Sequence, residues 1–352
     1  MRTGLLRSRR FVAAAAVSAL ALTACGGSDS SSDTDTASGD SGASSDVRVA
    51  LAYDIGGRGD QSFNDAAAAG LDRAVEELGV EVREAEAGAG ESDSAKEERL
   101  RLLASSGFNP VIAVGFAYSG PLAAVAEEFP DTTFAIVDDA AAEGDNISNL
   151  VFAEEQGSFL VGAAAALKSP NGNVGFIGGV EVPLIKKFEA GFKAGAEAVK
   201  PGITVQTTYL TQPPDFTGFN DPAKGRTAAQ GMFDSGADVV YHAAGGSGSG
   251  LFEAADAAGK LAIGVDSDQY VTAGEAVQDV ILTSMLKKVD VAVFDFINSA
   301  VEGDVQSGQT VYDLEAGGVD YSTSGGKVDD ITAQLEDYKQ KIISGEITVP
   351  TS

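Results

Sequence analysis

The stretch Val47 to Leu71 reads VRVALAYDIGGRGDQSFNDAAAAGL. Its first half is a run of strand formers, Val47, Val49, Leu51 and Tyr53, which breaks into Asp54, three glycines and Asp60. Ser62, Phe63 and Asn64 then lead into an alanine-rich segment, so the pattern predicts a strand, a polar loop and a helix start. In an open parallel sheet such a loop lies beyond the carboxyl end of the first strand, where ligands bind. The glycines allow close backbone approach, and Ser62 or Asn64 can cap a helix whose free N–H groups attract acceptors. Phe63 within this polar collar reads either as a hydrophobic staple on a capped helix or as an aromatic face turned to a ligand.

From this unit outward, strand-like and helix-like segments alternate at intervals of about 30 residues, the signature of a parallel α/β sheet. A helix over Ser62 to Leu78 precedes a strand near Val80 to Arg83 and a helix over Ser94 to Ser105. Pro110 to Val114 leads into GFAYSG and a helix ending at Phe129, and Thr133 to Val137 ends at Asp138-Asp139. The pattern restarts at Asn149 to Phe152 and runs through strands at Asn173 to Ile177, Ile203 to Tyr209, Asp238 to His242 and Leu261 to Val265, each followed by a loop or helix. Two units of similar size predict two lobes joined near Phe152. The remaining pieces are too few for a third domain. They predict a chain that recrosses near Gln278 and returns near Leu314, giving a three-segment hinge with a ligand cleft between the lobes. The expected boundaries are 47–151 plus 279–313 for lobe 1 and 152–278 plus 314–352 for lobe 2.

The amino terminus addresses the compartment. Arg2, Arg7, Arg9 and Arg10 precede an apolar run from Phe11 to Leu22, and Leu22-Thr23-Ala24-Cys25 closes it with the only cysteine of the chain. This is the layout of a signal peptide over 1–24, too short to span a bilayer comfortably. The Leu-Thr-Ala-Cys ending resembles the bacterial lipobox, which implies a lipid on Cys25, and Arg9-Arg10 hints at twin-arginine export. Residues 25–46 are a lipidated cysteine and a Ser/Gly/Asp/Thr tether with too little apolar surface to order itself. The expected location is therefore the extracytoplasmic face of the cell membrane, held by a lipid anchor.

The formal charge is −28, and loss of the four signal arginines takes it to −32. So acidic a chain does not bind nucleic acid through its overall field, and it disfavours strongly anionic ligands such as nucleotides. Catalytic equipment is sparse: His242 is the single histidine, and no HExxH or GxxxxGK[ST] run is present. His242 at a strand end reads as a packed histidine before a ligand contact or general base. The run Gly245 to Gly250 (GGSGSG) fits a tight turn whose N–H groups meet a hydroxyl, although it can also cradle a phosphate. No calcium-loop spacing accompanies the aspartates. The expectation is a binding protein, not an enzyme, with no cofactor, no metal and no catalytic residues.

The strand-end residues that would face one another across a cleft are Asp54, Asp60, Phe63, Asn64, Gly115 to Ala117 and Asp138 from the first lobe. Phe219, Asp221, Gly245, Gly246 and Asp266 come from the second, with Lys287 entering on the recrossing segment. Aspartates at strand ends also cap helices, so part of this set has a structural reading.

Seven segments in order resemble one family: DIGGRGDQSFN (54–64), VGF (114–116), GFIGG (175–179), FEAGFKAG (188–195), FNDPAKG (219–225), IGVDSD (263–268) and SMLKK (284–288). Together they resemble the basic membrane protein family of bacterial lipoproteins, substrate-binding components of ABC importers whose best understood branch binds purine nucleosides. The resemblance implies the type I periplasmic-binding-protein fold, a nucleoside ligand, and ABC permease and ATPase partners. It implies an aromatic sandwich of Phe63 and Phe219 around the base, with Phe216 as a second ring in the same loop. Asn64 and Asp138 match the base-edge contacts. Asp266 and Lys287, with a backbone N–H near Gly245 or Gly246, match the ribose contacts, and Asp54 is a further polar contact. The chain is expected to act as a monomer. A sugar in the same cleft, or a receptor that signals rather than transports, are the alternatives.

Overall fold

The computed structural model describes residues 45–352. The signal segment, Cys25 and all but the end of the tether lie outside the described residues. The chain order is β1 (Arg48–Ala52), α1 (Phe63–Leu78), β2 (Glu81–Ala85), α2 (Asp93–Ser105), β3 (Val111–Val114), α3 (Ser119–Glu128), β4 (Phe134–Val137) and β5 (Ile147–Phe152). It continues with α4 (Glu154–Lys168), β6 (Asn173–Val180), α5 (Pro183–Val199), β7 (Thr204–Thr211), α6 (Pro222–Asp234), β8 (Val239–Ala243), α7 (Gly248–Ala258), β9 (Leu261–Asp266) and α8 (Gln269–Thr272). The last part holds β10 (Ile281–Lys287), α9 (Val289–Glu302), β11 (Gly308–Tyr312), β12 (Val319–Tyr321) and α10 (Thr332–Ile343).

The strands form two six-stranded sheets, β11-β5-β4-β3-β1-β2 and β12-β10-β9-β8-β6-β7. Every pairing is parallel except β10 with β12. Strands inside a parallel sheet are covered on both faces and so read as unbroken apolar runs. VIAV in β3 and FAIV in β4 are buried at every position, whereas the edge strands β2 and β11 carry polar, exposed side chains. Helices α1 and α9 cover one face of the first sheet, and α2 and α3 the other. In the second sheet α4 and α5 cover one face and α6 and α7 the other, and the apolar core runs continuously from lobe to lobe. Among the described residues no helix is long and apolar enough to cross a membrane.

The two sheets repeat the same strand order, and this corrects one expected boundary. Ile281–Lys287 does not enter the first lobe at Gln278. As β10 it pairs with β9 and fills the fifth place of the second sheet, the place that β5 holds in the first. The chain leaves the second sheet only after Lys287. Helix α9 then packs on α1, and β11 pairs with β5 before the chain returns to β12. The three crossings therefore fall near Ala153, Lys288 and Asp313. The physical reason is long-range: β10 pairs with the buried strand β9, and its own sequence, ILTSMLK, does not say which sheet holds that neighbour.

Candidate functional site

In both sheets the strand order reverses between the first and third strands, and the loops there open a crevice at the carboxyl ends. One cavity lies between the two sets of loops, at the switch-point position where small-molecule sites occur in α/β sheets. From the first lobe it is lined by Asp54, Asp60, Phe63, Asn64, Phe116 and Asp138; Leu184, Phe188, Phe219, Gly245, Asp266 and Lys287 face them from the second. Eight of the nine expected ligand residues are thus brought together. Gly246 is not part of the wall. It stands just behind it, where a side chain would come within 3.1 Å of Asn220 Oδ1.

The loop after β1 is shaped by Asp60. Its carboxylate accepts from the backbone N–H groups of Ser62 (2.9 Å), Asn64 (2.8 Å) and Asp65 (3.0 Å), capping α1 in place of the expected Ser62 or Asn64 side chains. This leaves Phe63 at the first helical position, facing the cavity. The Asn64 amide is engaged inside the loop: Oδ1 accepts from Asp54 N (3.1 Å), and Nδ2 donates to Ile55 O (3.3 Å) and Asp60 Oδ2 (3.1 Å). Its main work is to hold Asp54 and Asp60 rather than to present a free amide. Gly115, at φ 99°, allows the β3 turn to pass so close to Asp54 that any Cβ there would collide with the carboxylate.

On the opposite wall Phe219 closes over Gly179, which has no side chain to obstruct the ring. Phe116 meets Phe219 edge-on at 6.4 Å and Phe216 at 5.8 Å. Phe216 does not line the cavity, whereas Phe219 does.

The charged groups form one buried cluster. Asp138 and Asp266 follow equivalent strands, and each adopts a left-handed backbone, φ 67° and 63°, a conformation rare for residues with a Cβ. Such strain is characteristic of sites where surrounding structure fixes a functional side chain. Lys287 is 2% exposed; its ammonium pairs with Asp138 and lies 3.9 Å from Glu154 Oε1, 4.8 Å from the Phe63 ring centroid and 5.6 Å from that of Phe188. Burial alone would depress the Lys287 pKa, but Asp138, Asp266 and Glu154 outweigh it and hold the ammonium above its ordinary value. Asp266 accepts from Ser62 Oγ at 2.6 Å instead of pairing directly with Lys287. Burial pushes its carboxyl up to about 6, against the opposing pull of Lys287, and burial raises Asp54 to about 6 as well. Asp138 Oδ1 has no hydrogen-bond partner among the described residues, leaving an acceptor at the cavity wall.

Four aspartates against one lysine make the cavity suited to hydrogen-bond donors and hostile to phosphates. His242 lies outside it. Its buried ring sits edge-on to Phe252, with Nε2 2.9 Å from Gln269 Oε1, and burial lowers its pKa to about 4. The GGSGSG run is occupied locally: Ser247 Oγ accepts from Asp221 N and donates to Gly218 O, both at 2.7 Å. Among the described residues no cluster of metal-ligating side chains is present.

Sequence reasoning missed Leu184, Ile185 and Phe188, which give the cavity its apolar floor, and Glu154 behind Lys287. Phe188 stands inside the FEAGFKAG segment, so the family motif contained it. Its place on the apolar face of α5 made it indistinguishable from core.

Two α/β lobes with a cavity between their strand ends give the chain the architecture of the type I periplasmic-binding fold. A crystal structure of an ABC transporter system solute-binding protein from Aeropyrum pernix K1 shares this architecture, with a TM-score of 0.76 at 31% identity over 87% of this chain and 94% of that one. The chain belongs to the Bmp family, described as "ABC transporter substrate-binding protein PnrA-like", whose model matches residues 47–352. It is 36% identical to a CD4+ T-cell-stimulating antigen of Listeria innocua over 95% of both chains. It is 34% identical to a protein named ABC transporter nucleoside-binding protein BmpA of Lactococcus lactis, over 90% of this chain and 92% of that one. The protein is therefore an ABC transporter substrate-binding protein, a role that implies a ligand and permease and ATPase partners, in a family of solute-binding proteins rather than enzymes.

Proposed function

We propose that the ligand is a nucleoside, in the first place a purine nucleoside, captured between the lobes and delivered to the permease by a receptor anchored through a lipid on Cys25. The observation that carries this reading is the pairing of Phe63 and Phe219, one ring from each lobe, on the wall of a single cavity that also holds Asp266 and Lys287. A purine has two π-faces, and stacking contributes on the order of 1 to 3 kcal/mol per base. Ribose hydroxyls donate well to ionised carboxylates, in bonds worth about 1.5 to 3 kcal/mol. Asp266 supplies such an acceptor, and Lys287 can donate to the same sugar oxygens. Asp54 and the free Oδ1 of Asp138 suit the donor groups at a base edge. The name of the Lactococcus lactis relative supports the same class of ligand.

Asp266→Asn tests the sugar contact. Ribonucleoside affinity is expected to fall by about tenfold or more, the loss of one charge-assisted bond, while 2′,3′-dideoxynucleosides lose little. Equal losses for both would remove the ribose role. The same variant has a pH signature. The Asp266 carboxyl lies at about 6 in the fold against an ordinary value of 3.8, so its ionisation is harder in the native than in the unfolded state. That destabilisation is absent well below pH 3.8, grows as pH rises towards 6 and is complete above it. Asp266→Asn is therefore expected to match the ligand-free wild type in unfolding free energy near pH 3 and to exceed it at pH 7. A pH-independent difference would contradict this. For the anchor, Cys25→Ser is expected to release the protein from membranes, and undiminished palmitate labelling of the variant would refute lipidation there.

A further inference from the structure

The loop that carries Phe63 is bonded across the cleft by Asp266 on the cavity wall and by three groups that take no part in lining it. Gln61 holds φ 56°, an unusual backbone for a residue with a Cβ. Its N–H donates to Asp65 Oδ2 at 2.9 Å within the first lobe, and its carbonyl accepts from Gln269 Nε2 at 3.0 Å and Thr272 Oγ1 at 3.3 Å in the second. The next residue does the same. Ser62 O accepts from Ser267 Oγ at 3.0 Å, and Ser62 Oγ donates to Asp266 Oδ2 at 2.6 Å. Two residues of one lobe thus reach four side chains within 266–272 of the other through four hydrogen bonds.

Gln269 is the centre of this arrangement. It is 1% exposed and absent from the cavity wall. Its orientation is fixed by chemistry: Val265 N–H, which can only donate, lies 2.8 Å from Oε1, so that atom is the carbonyl oxygen and the amide nitrogen faces Gln61 O. The same oxygen faces His242 Nε2 at 2.9 Å, which makes Nε2 the protonated ring nitrogen and leaves Nδ1 bare, in keeping with a ring held neutral by burial. Ser284 Oγ accepts from the Gln269 N–H at 3.0 Å and fixes its backbone. A buried lobe 2 network therefore ends in a single donor aimed at lobe 1.

We propose that Gln269 is a positioning residue which, with Ser267 and Thr272, latches the lobes together before a ligand arrives and so holds Phe63 and Asp266 at their working separation. The latch lies beside the cavity, so its bonds need no ligand atom and do not obstruct one. Because only the closed form contacts a ligand with both lobes, the apparent affinity scales with the fraction already closed. The inference depends on the two-lobed fold and not on the identity of the ligand.

The test measures lobe separation in the ligand-free protein. Spin labels are placed at the exposed positions Glu98→Cys on α2 and Asp256→Cys on α7, with Cys25→Ser as background, and distances are read by double electron–electron resonance. The otherwise wild-type protein is expected to show a population at the closed distance. Ser267→Ala with Thr272→Val, at partly exposed positions that leave the buried network intact, is expected to lower the closed-to-open ratio by about tenfold or more. Gln269→Glu keeps the acceptor for Val265 N–H but cannot donate to Gln61 O, and is expected to shift the ratio the same way. Ser267→Thr retains the hydroxyl and is expected to stay near the wild-type ratio. A ligand-free wild type found only at the open distance, or a surface double variant with an unchanged distribution, would overturn the proposal.

Discussion

Replacing Lys287 with methionine is expected to lower the unfolding free energy by about 3–5 kcal/mol, the usual cost of removing one partner from a buried ion pair. In a protein of this size that corresponds to a fall in melting temperature on the order of 5–15 °C. Methionine keeps the apolar stem that Lys287 buries among the Phe63, Phe152 and Phe188 rings, so the loss reports the charge. Asp138 would lose its ion-pair partner, and Glu154, whose Oε1 lies 3.9 Å from the ammonium, would lose its nearest opposing charge on that side. Burial already raises the Glu154 pKa, and loss of the Lys287 attraction would raise it further. The pairing is checked by a double-mutant cycle: Asp138→Asn added to Lys287→Met is expected to cost far less than the sum of the single changes. Additive losses, or a Lys287→Met melting temperature within a degree or two of wild type, would show that the cluster is not electrostatically joined.

The second large effect concerns ligand binding. Phe63→Ala and Phe219→Ala are each expected to weaken nucleoside affinity by about tenfold or more, since loss of a stacking partner removes at least about 1.4 kcal/mol. Phe216→Ala serves as the control within the same loop. Its ring packs edge-on to Phe116 outside the cavity, so its truncation is expected to change affinity by less than about threefold, a contact worth around half a kcal/mol. Calorimetric affinities unchanged by both cavity-ring truncations would defeat the sandwich. A Phe216→Ala loss equal to that of Phe219→Ala would move the stacking role to the other ring.

The fold was legible because parallel sheets write themselves locally. Buried runs such as VIAV and FAIV, each ending in a loop, mark successive strands whatever their partners. The site was legible for the same reason: residues just past strand ends, among them Asp54, Asp138, Gly245, Asp266 and Lys287, share one edge of a sheet once the topology is right. What stayed hidden depended on contacts between distant residues. The sheet that receives β10 is set by its pairing with β9, and nothing within Ile281–Lys287 encodes it. Lys287 meets Asp138 across 149 residues of sequence, so reading Lys287 and Asp266 as ribose contacts revealed neither that pairing nor the bond from Ser62 to Asp266. Asn64 lines the cavity as expected, but a sequence does not reveal that a nearby aspartate and two backbone groups engage its amide. Phe188 and Ile185 belong to a helix face whose pattern is that of core.

Titration calorimetry of the purified protein with inosine, guanosine, free ribose and guanosine monophosphate tests the central claim most directly. A nucleoside held between two rings and a ribose-binding acid is expected to saturate one site per chain with a dissociation constant at or below about 1 μM, near −8 kcal/mol. Ribose, lacking a base to stack, and the monophosphate, facing four aspartates, are expected to bind at least about a hundredfold more weakly, a difference near 2.7 kcal/mol. Saturable binding of a free sugar with no heat from any nucleoside would contradict the account.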